Sequence, residues 1–187
     1  MTILEIIAMT ATLLCVYLTA KQKIYAWPVG IIGVIAFFFL FLDQKFYFQT
    51  ILQVIFLIQS VYGWISWRKQ LEQDDFTPKS LHNVKFATHY AVIALISVLG
   101  GAIGGTYMGS NLPILDGITT GFSILATYYL AKHYIEAWII WMGVNILLFS
   151  MTLYQGLYIV AGMEVVLFVI SFNAYKSWKR DLKTDCA

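Results

Sequence analysis

The sequence predicts an all-α integral membrane protein with seven transmembrane helices. Of its 187 residues, 60% are hydrophobic and only 12% are charged, whereas soluble domains carry about 25% charged residues. Seven apolar stretches approach the roughly 20 residues that a helix needs to cross the hydrocarbon core of a bilayer. The Lys and Arg residues fall almost entirely on alternate connections between these stretches. Together these observations exclude a water-soluble domain and predict a chain embedded in the lipid bilayer.

Short polar segments separate the seven predicted helices. Each apolar stretch must be helical, because backbone groups inside the bilayer have only one another as hydrogen-bond partners. The first stretch lacks the basic start and small-residue cleavage site of a secretory signal, so we expect it to remain in the mature protein. The predicted spans are Ile3–Ala20, Ile24–Leu42, Phe46–Trp67, Phe86–Tyr107, Leu112–Ala131, Ile135–Leu153 and Leu157–Tyr175.

The distribution of positive charge predicts the orientation in the membrane. With seven spans, one side receives only Lys45 of the twelve Lys and Arg residues. Because cytoplasmic loops are enriched in these residues, the N-terminus is expected outside and the C-terminus in the cytoplasm. The residues on the predicted cytoplasmic side are Lys21, Lys23, Arg68, Lys69, Lys79, Lys85, Lys132, Lys176, Lys179, Arg180 and Lys183.

The chain matches itself at an offset of 111 residues. Coincidence between two apolar helices is a poor explanation, because rare Trp and polar residues recur at one offset. We predict two parallel three-helix repeats joined by an extra helix, a 3+1+3 arrangement. The predicted organisation is a first repeat over 1–71, a charged cytoplasmic linker and connecting helix over 72–111, and a second repeat with a cytoplasmic tail over 112–187. The matches include Trp27 with Trp138, Gln53 with Glu164, Ser60 with Ser171, and Trp67 with Trp178.

Polar faces on four helices predict a solute path between the repeats. Helical periodicity places Trp138, Trp141 and Asn145 on one face of the sixth helix. Such faces are unfavourable against lipid, so we expect them to line a binding site, with Trp27 and Trp67 as gate candidates. An interfacial belt is the alternative for the tryptophans. The predicted substrate-binding residues are Trp138, Trp141, Asn145, Glu164, Gln53, Gln49, Ser123 and Thr127.

Glu164 is the most informative of these residues. A carboxylate at the bilayer centre costs about 2.5–3.5 kcal/mol on insertion scales, and none of the predicted spans contains a Lys or Arg to pair with it. One interpretation is a protonated acid bonded to a neighbouring helix. The other is that the solute is the partner, as a cation or an amino heterocycle held beside Trp138 and Trp141 by cation–π attraction of up to about 2 kcal/mol.

Other classes of function lack their signatures in the sequence. We find no phosphate-binding glycine loop, nucleophile elbow or metal-binding HExxH motif, so neither an enzyme nor a cofactor is predicted. Cys15 and Cys186 are too far apart to indicate a disulfide framework or a metal site. The basic residues do not cluster with aromatic residues, which argues against nucleic-acid binding. A membrane sensor or assembly subunit without transport remains an alternative.

Several short motifs resemble the PnuC (Pnu) family of bacterial vitamin transporters over nearly the whole chain. The resemblance implies an inner-membrane facilitator of two SWEET-like triple-helix bundles, commonly a homotrimer, whose solute is trapped by cytosolic phosphorylation. It also implies that Trp138, Trp141 and Asn145 lie at the substrate site. The motifs are Trp27-Pro28-Val29-Gly30, Leu52-Gln53, Tyr62-Gly63-Trp64-x-x-Trp67-Arg68, Trp138-x-x-Trp141-x-x-x-Asn145 and Trp178-Lys179-Arg180.

The choice of solute depends on two departures from the family pattern. Members that carry nicotinamide riboside have an acidic residue shortly before Leu-Gln, where this chain has Gln49, and Glu164 is an addition. A carboxyl at Glu164 could bond the aminopyrimidine edge of thiamine in a paired, charge-assisted contact. The sequence therefore favours thiamine carried by facilitated diffusion, closest to the thiamine-transporting PnuT subgroup. Nicotinamide riboside is the alternative small cationic aromatic vitamin.

Overall fold

The computed structural model describes residues 3–43, 47–81, 83–108 and 112–184, with side chains described outside 47–49, 83–87, 101–108 and 183–184. Over these ranges the chain forms seven helices, which confirms the predicted all-helical fold. They are α1 Ile3–Ala20, α2 Ala26–Asp43, α3 Tyr47–Glu72, α4 Asn83–Met108, α5 Pro113–Ala131, α6 Glu136–Tyr154 and α7 Tyr158–Thr184.

Five of the helices are long and apolar enough to cross a membrane, as judged over the described ranges: α1, α2, α6, and the greater part of α3 and α7. In α4, the segment Thr88–Gly100 is a shorter apolar stretch. α5 has 19 residues but carries Asp116 in its first turn, followed by Thr and Ser residues that lower its hydropathy. The seven predicted spans thus coincide with seven helices, of which five are clearly apolar.

The first compact unit comprises Met1–Phe76. Within it α1 packs against α2, and α2 packs against α3. A Cβ atom built on Gly33 would lie 3.3 Å from the Cβ of Ala11, and one built on Gly30 would lie 2.9 Å from the Sγ of Cys15. Small residues therefore permit the close approach of α1 and α2, as is typical of membrane helices.

The second compact unit comprises Thr77–Ala187, with α4 packed on α5, α5 on α6 and α6 on α7. A Cβ atom built on Gly121 of α5 would overlap the hydroxyl of Ser97 on α4, so a glycine is required at this crossing. The helix that was predicted as a separate connection thus packs directly on α5. The division into two repeats and a linker stays a prediction.

The turns α1–α2 and α5–α6 have the same backbone geometry, 111 residues apart. Gln22 and His133 both adopt left-handed conformations, with φ of 56° and 62°. In each turn the N–H of this residue bonds the carbonyl three residues earlier, at 2.9 and 3.0 Å, and the next N–H bonds the carbonyl five residues earlier, at 2.9 Å in both. These bonds define a Schellman motif that ends α1 and α5. The recurrence supports the predicted duplication.

Candidate functional site

An indole pair lies at one end of the second unit. Trp138, at the start of α6, meets Trp178, near the end of α7, with ring centroids 5.4 Å apart and planes at 84°. The His133 ring stacks on Trp178 at 4.9 Å and 29°. All three side chains are completely buried. The indole Nε1 of Trp138 has no hydrogen-bond partner within the described part of the chain, so a donor is left available at this end.

Glu164 lies far from this indole pair along α7. It precedes Trp178 by fourteen residues of one continuous helix, which corresponds to about 21 Å at a rise of about 1.5 Å per residue. This distance is greater than the length of a nucleoside-sized solute. A single site that holds Trp138, Trp141, Asn145 and Glu164 together does not fit this spacing, because a nucleoside-sized molecule is shorter than the separation between Glu164 and Trp178 along α7.

The antiparallel packing of α6 and α7 defines three levels in the second unit. The Trp138–Trp178 contact sets the register, and seven-residue steps stay on nearly the same helix face. One step brings Asn145 level with Ser171, and a second brings Thr152 level with Glu164. We call these the indole level (Trp138 and Trp178), the middle level (Asn145 and Ser171) and the carboxylate level (Thr152 and Glu164).

The carboxylate level is buried and contains an unpartnered acceptor. Glu164 is only 5% exposed, and its Oε2 has no hydrogen-bond partner among the residues that the structure describes. The Thr152 hydroxyl donates to the carbonyl of Leu148 at 2.8 Å. Its hydrogen is therefore used within α6. The carboxylate at this level is left with hydrogen-bonding capacity that no described group fills.

The middle level and α5 offer further polar atoms. Asn145 is 2% exposed, and Trp141, between the indole and middle levels, is half-buried. On α5 the Ser123 hydroxyl donates to the Thr119 carbonyl at 2.7 Å, and Thr127 donates to the Ser123 carbonyl at 2.8 Å. Because both hydroxyl hydrogens are used inside the helix, these two predicted ligands would act as acceptors only.

The predicted residues of the first unit form a matching series on α3. Trp67 meets Trp27 at 5.5 Å and 87°, and Phe76 at 5.1 Å and 81°. Gln53 precedes Trp67 by fourteen residues and is 8% exposed. The predicted ligand Gln49 also belongs to α3, but its side chain lies outside the described residues.

Three contacts that shape these ends were not predicted from the sequence. The Glu136 Oε1 accepts hydrogen bonds from the Ser80 hydroxyl at 2.6 Å and from the Leu81 N–H at 3.1 Å. The backbone of Lys79 pairs with the α5–α6 turn, donating to the His133 carbonyl at 2.8 Å. An acid in a first helical turn is a local signal, but its partner more than fifty residues away in the chain is not.

The other missed contact involves Gly63 of α3. A Cβ atom at this position would overlap the Trp27 indole, so the indole lies directly on the α3 backbone.

With regard to metals, no group of three or more His, Cys, Asp or Glu side chains that could hold an ion occurs in the described ranges.

Comparison with known proteins gives consistent matches over almost the whole chain. The family model described as nicotinamide mononucleotide transporter matches residues 2–180. The nicotinamide riboside transporter PnuC of Escherichia coli is 25% identical over 201 aligned residues, covering 94% of this chain and 84% of that protein. The PnuC of Haemophilus influenzae is 26% identical over 191 residues, covering 96% and 80%.

A solved structure gives the same result for the fold. The crystal structure of the vitamin B3 transporter PnuC is similar with a TM-score of 0.74 at 25% identity, and the match covers 97% of this chain and 82% of that one.

Proposed function

This chain belongs to the nicotinamide mononucleotide transporter family, and from that premise we propose that it carries nicotinamide riboside across the membrane by facilitated diffusion. Membership confirms the resemblance to the PnuC family. It also agrees with a multi-pass membrane transporter rather than an enzyme. The observation that carries the proposal is the match, over most of both chains, to relatives named for nicotinamide riboside.

The distribution of charge favours the riboside over the phosphorylated mononucleotide. Residues 86–131 and 133–175 contain no Lys or Arg, so a phosphate in the membrane-spanning part of the second unit would be buried without a cationic partner. Burying an unpaired charge is strongly unfavourable. Nicotinamide riboside lacks the phosphate and carries one positive charge on its ring, which suits a site lined by indole rings.

The sequence-based preference for thiamine is not supported. The two relatives described above are named for nicotinamide riboside, which favours that alternative, and neither name indicates the PnuT subgroup. The preference for thiamine also required Glu164 and the indole rings to contact the same bound molecule. Since Glu164 lies about 21 Å along α7 from Trp178, that reason is removed.

We assign the vitamin to the indole and middle levels of the second unit. The Trp138 and Trp141 rings would attract the pyridinium ring by cation–π interaction, and the Asn145 amide would bond the ribose hydroxyls or the carboxamide. Burial of Trp138 and Asn145 supports this assignment. Trp27 and Trp67 remain gate candidates, supported by their edge-to-face contact at the equivalent end of the first unit.

We further propose a bacterial inner-membrane protein with its N-terminus outside, its C-terminus in the cytoplasm, and a homotrimeric assembly, with the solute trapped by cytosolic phosphorylation. The positions of basic residues support the orientation. In the first unit, Lys21 and Lys23 lie in the α1–α2 turn and Arg68 follows Trp67, which contacts Trp27 at the start of α2. These charges therefore lie at one end of the unit, as the positive-inside rule requires.

Uptake into liposomes containing the purified protein tests the proposed function. We expect labelled nicotinamide riboside to enter until its inside and outside concentrations are equal, and the Trp138→Phe variant to lose at least tenfold in affinity. Trp64→Phe, at an exposed position of α3, is the matched control. Uptake of thiamine without nicotinamide riboside would overturn the choice of solute, and binding without uptake would indicate a sensor. Accumulation driven by a pH gradient would overturn facilitated diffusion.

A further inference from the structure

We propose that Glu164 forms a second cation-binding subsite at the carboxylate level, separate from the indole level, which an organic monocation occupies on its way through the second unit. The inference rests on the proposed function for the identity of the passing solute, a pyridinium cation. It goes beyond that function by dividing the path into two successive stations.

Glu164 is buried with hydrogen-bonding capacity that no described group satisfies. The side chain is more than nine-tenths buried, and its Oε2 has no partner within the described part of the chain. A buried carboxylate without a partner destabilises a fold unless a cation or a donor arrives. Lys176, the first basic residue after Glu164 on α7, lies about 18 Å further along the helix axis. No basic side chain of α7 is therefore within reach.

The surroundings of Glu164 are apolar or acidic. Ala161 and Leu167 are buried on the same helix, and the Thr152 hydroxyl hydrogen is engaged by the α6 backbone. Charges attract more strongly in such surroundings than in water. Asp116, in the first turn of α5, lies at the same end of the unit because α5 runs antiparallel to α6. The end opposite the indole level is thus acidic, which favours a cation over an anion or a neutral solute.

The carboxylate level is well separated from the indole level. The carboxylate level and the indole level are about 21 Å apart along α7, so a solute that leaves one must travel before it meets the other. Gln53 holds the equivalent position on α3 and is similarly buried, but it is neutral. The charge at this depth is therefore a property of the second unit, and the Gln53–Glu164 pair provides matched variants.

Binding measurements on four proteins test whether Glu164 and Trp138 hold the same bound solute. Nicotinamide riboside is titrated, with tryptophan fluorescence as the readout, into the parent, Glu164→Gln, Trp138→Phe and the double variant. We expect Glu164→Gln to change the apparent Kd less than twofold and the double variant to match the product of the single effects, because distant residues act additively. Coupling of more than about threefold would place both residues on one solute and overturn the two-station path.

Transport kinetics supply the complementary readout. We expect Glu164→Gln to slow the initial uptake of nicotinamide riboside about tenfold while the fluorescence titration is preserved. The control Ser150→Ala, at an exposed site of α6, should leave uptake within twofold of the parent. Uptake by Glu164→Gln at the parent rate would overturn a station at this residue.

Thermal unfolding of the empty protein separates failure of the subsite from failure of the proposed function. We expect Glu164→Gln to raise Tm by about 2–4 °C, because it removes an unpartnered buried charge, and Gln53→Glu to lower it. 1-Methylnicotinamide, a pyridinium cation without ribose, should raise the Tm of the parent by more than that of Glu164→Gln, which keeps only the indole level. A lower Tm for Glu164→Gln would mean that the carboxylate has a structural partner, and would overturn the subsite even if riboside transport is observed.

Discussion

The indole pairs of the two units have the same geometry but different surroundings. Their centroid distances are 5.5 and 5.4 Å and their interplanar angles 87° and 84°. In the first unit Trp27 lies against Gly63, whereas the residue 111 positions later is Ala174. The third ring is Phe76 in the first unit and His133 in the second. The pairing geometry therefore follows from the similar helix and turn backbone, while the third ring is a phenyl in one cluster and an imidazole in the other.

The α1–α2 and α5–α6 turns, next to these pairs, also have different surroundings. In the second unit the segment Lys79–Leu81 covers the α5–α6 turn and bonds Glu136. The equivalent of Glu136 in the first unit is Tyr25, which is 72% exposed. A turn with few buried contacts opens more readily than one that is covered. We therefore expect the α1–α2 turn to be the more mobile of the two.

Replacing Gly63 with Ala should have the largest effect on this comparison. The added Cβ atom would overlap the buried Trp27 indole, and overpacking costs about 1–3 kcal/mol. We expect a loss of up to about 3 kcal/mol in the free energy of unfolding, measured in detergent by near-ultraviolet circular dichroism. Gly143→Ala is the control, because nothing lies within 4 Å of a Cβ atom at that position of α6. Equal stability of the two variants would contradict the contact.

A glycine at each left-handed turn position should change the stability of the two units in opposite directions. His133→Gly removes a completely buried ring that stacks on Trp178, and we expect a net loss of about 2 kcal/mol despite the relief of an unfavourable backbone conformation. Gln22→Gly gains the same backbone relief without losing a buried ring, so its stability should rise by about 0.5–1 kcal/mol. Thermal unfolding of both variants checks the prediction, and a parallel change in the two would refute it.

Loss of the Ser80 hydroxyl should have the smallest effect. Ser80→Ala removes one hydrogen bond to a buried carboxylate, which is worth about 1 kcal/mol, and we expect faster hydrogen exchange in residues 77–81. Ser150→Ala is the control, since that hydroxyl bonds only its own helix at an exposed site. Unchanged exchange in Ser80→Ala would show that backbone pairing alone holds this segment.

The sequence predicted the helices well and their ends less well. The predicted first span and α1 have the same limits, Ile3–Ala20. The predicted third span ends at Trp67, yet α3 continues to Glu72, whose carboxylate pairs with Arg68 at 3.1 Å. Hydropathy reports where a helix leaves the hydrocarbon, and a helix with paired charges continues beyond that point.

The polar residues of the site were visible in the sequence, but their depth was not. A helical projection of the sequence shows the angle of each side chain around the helix axis, but not its position along that axis. The sequence therefore predicts Glu164 and Trp138 at one site, without their separation along the helices. The contact between Trp138 and Trp178 defines this position, because it shows which residues of α6 lie beside which residues of α7. The contact of Ser80 with Glu136 had no local signal at all.

A rigid tilt of the continuous α7 helix would move the two proposed stations in opposite directions. Ser171, almost completely buried, is seven residues from Glu164 and seven from Trp178, so each lies about 10 Å from it. When α7 tilts rigidly about Ser171, one end of the helix moves inward as the other end moves outward. With arms of about 10 Å, a tilt of about 10° displaces each end by about 2 Å. Alternation between the two ends would then need no bending of the helix.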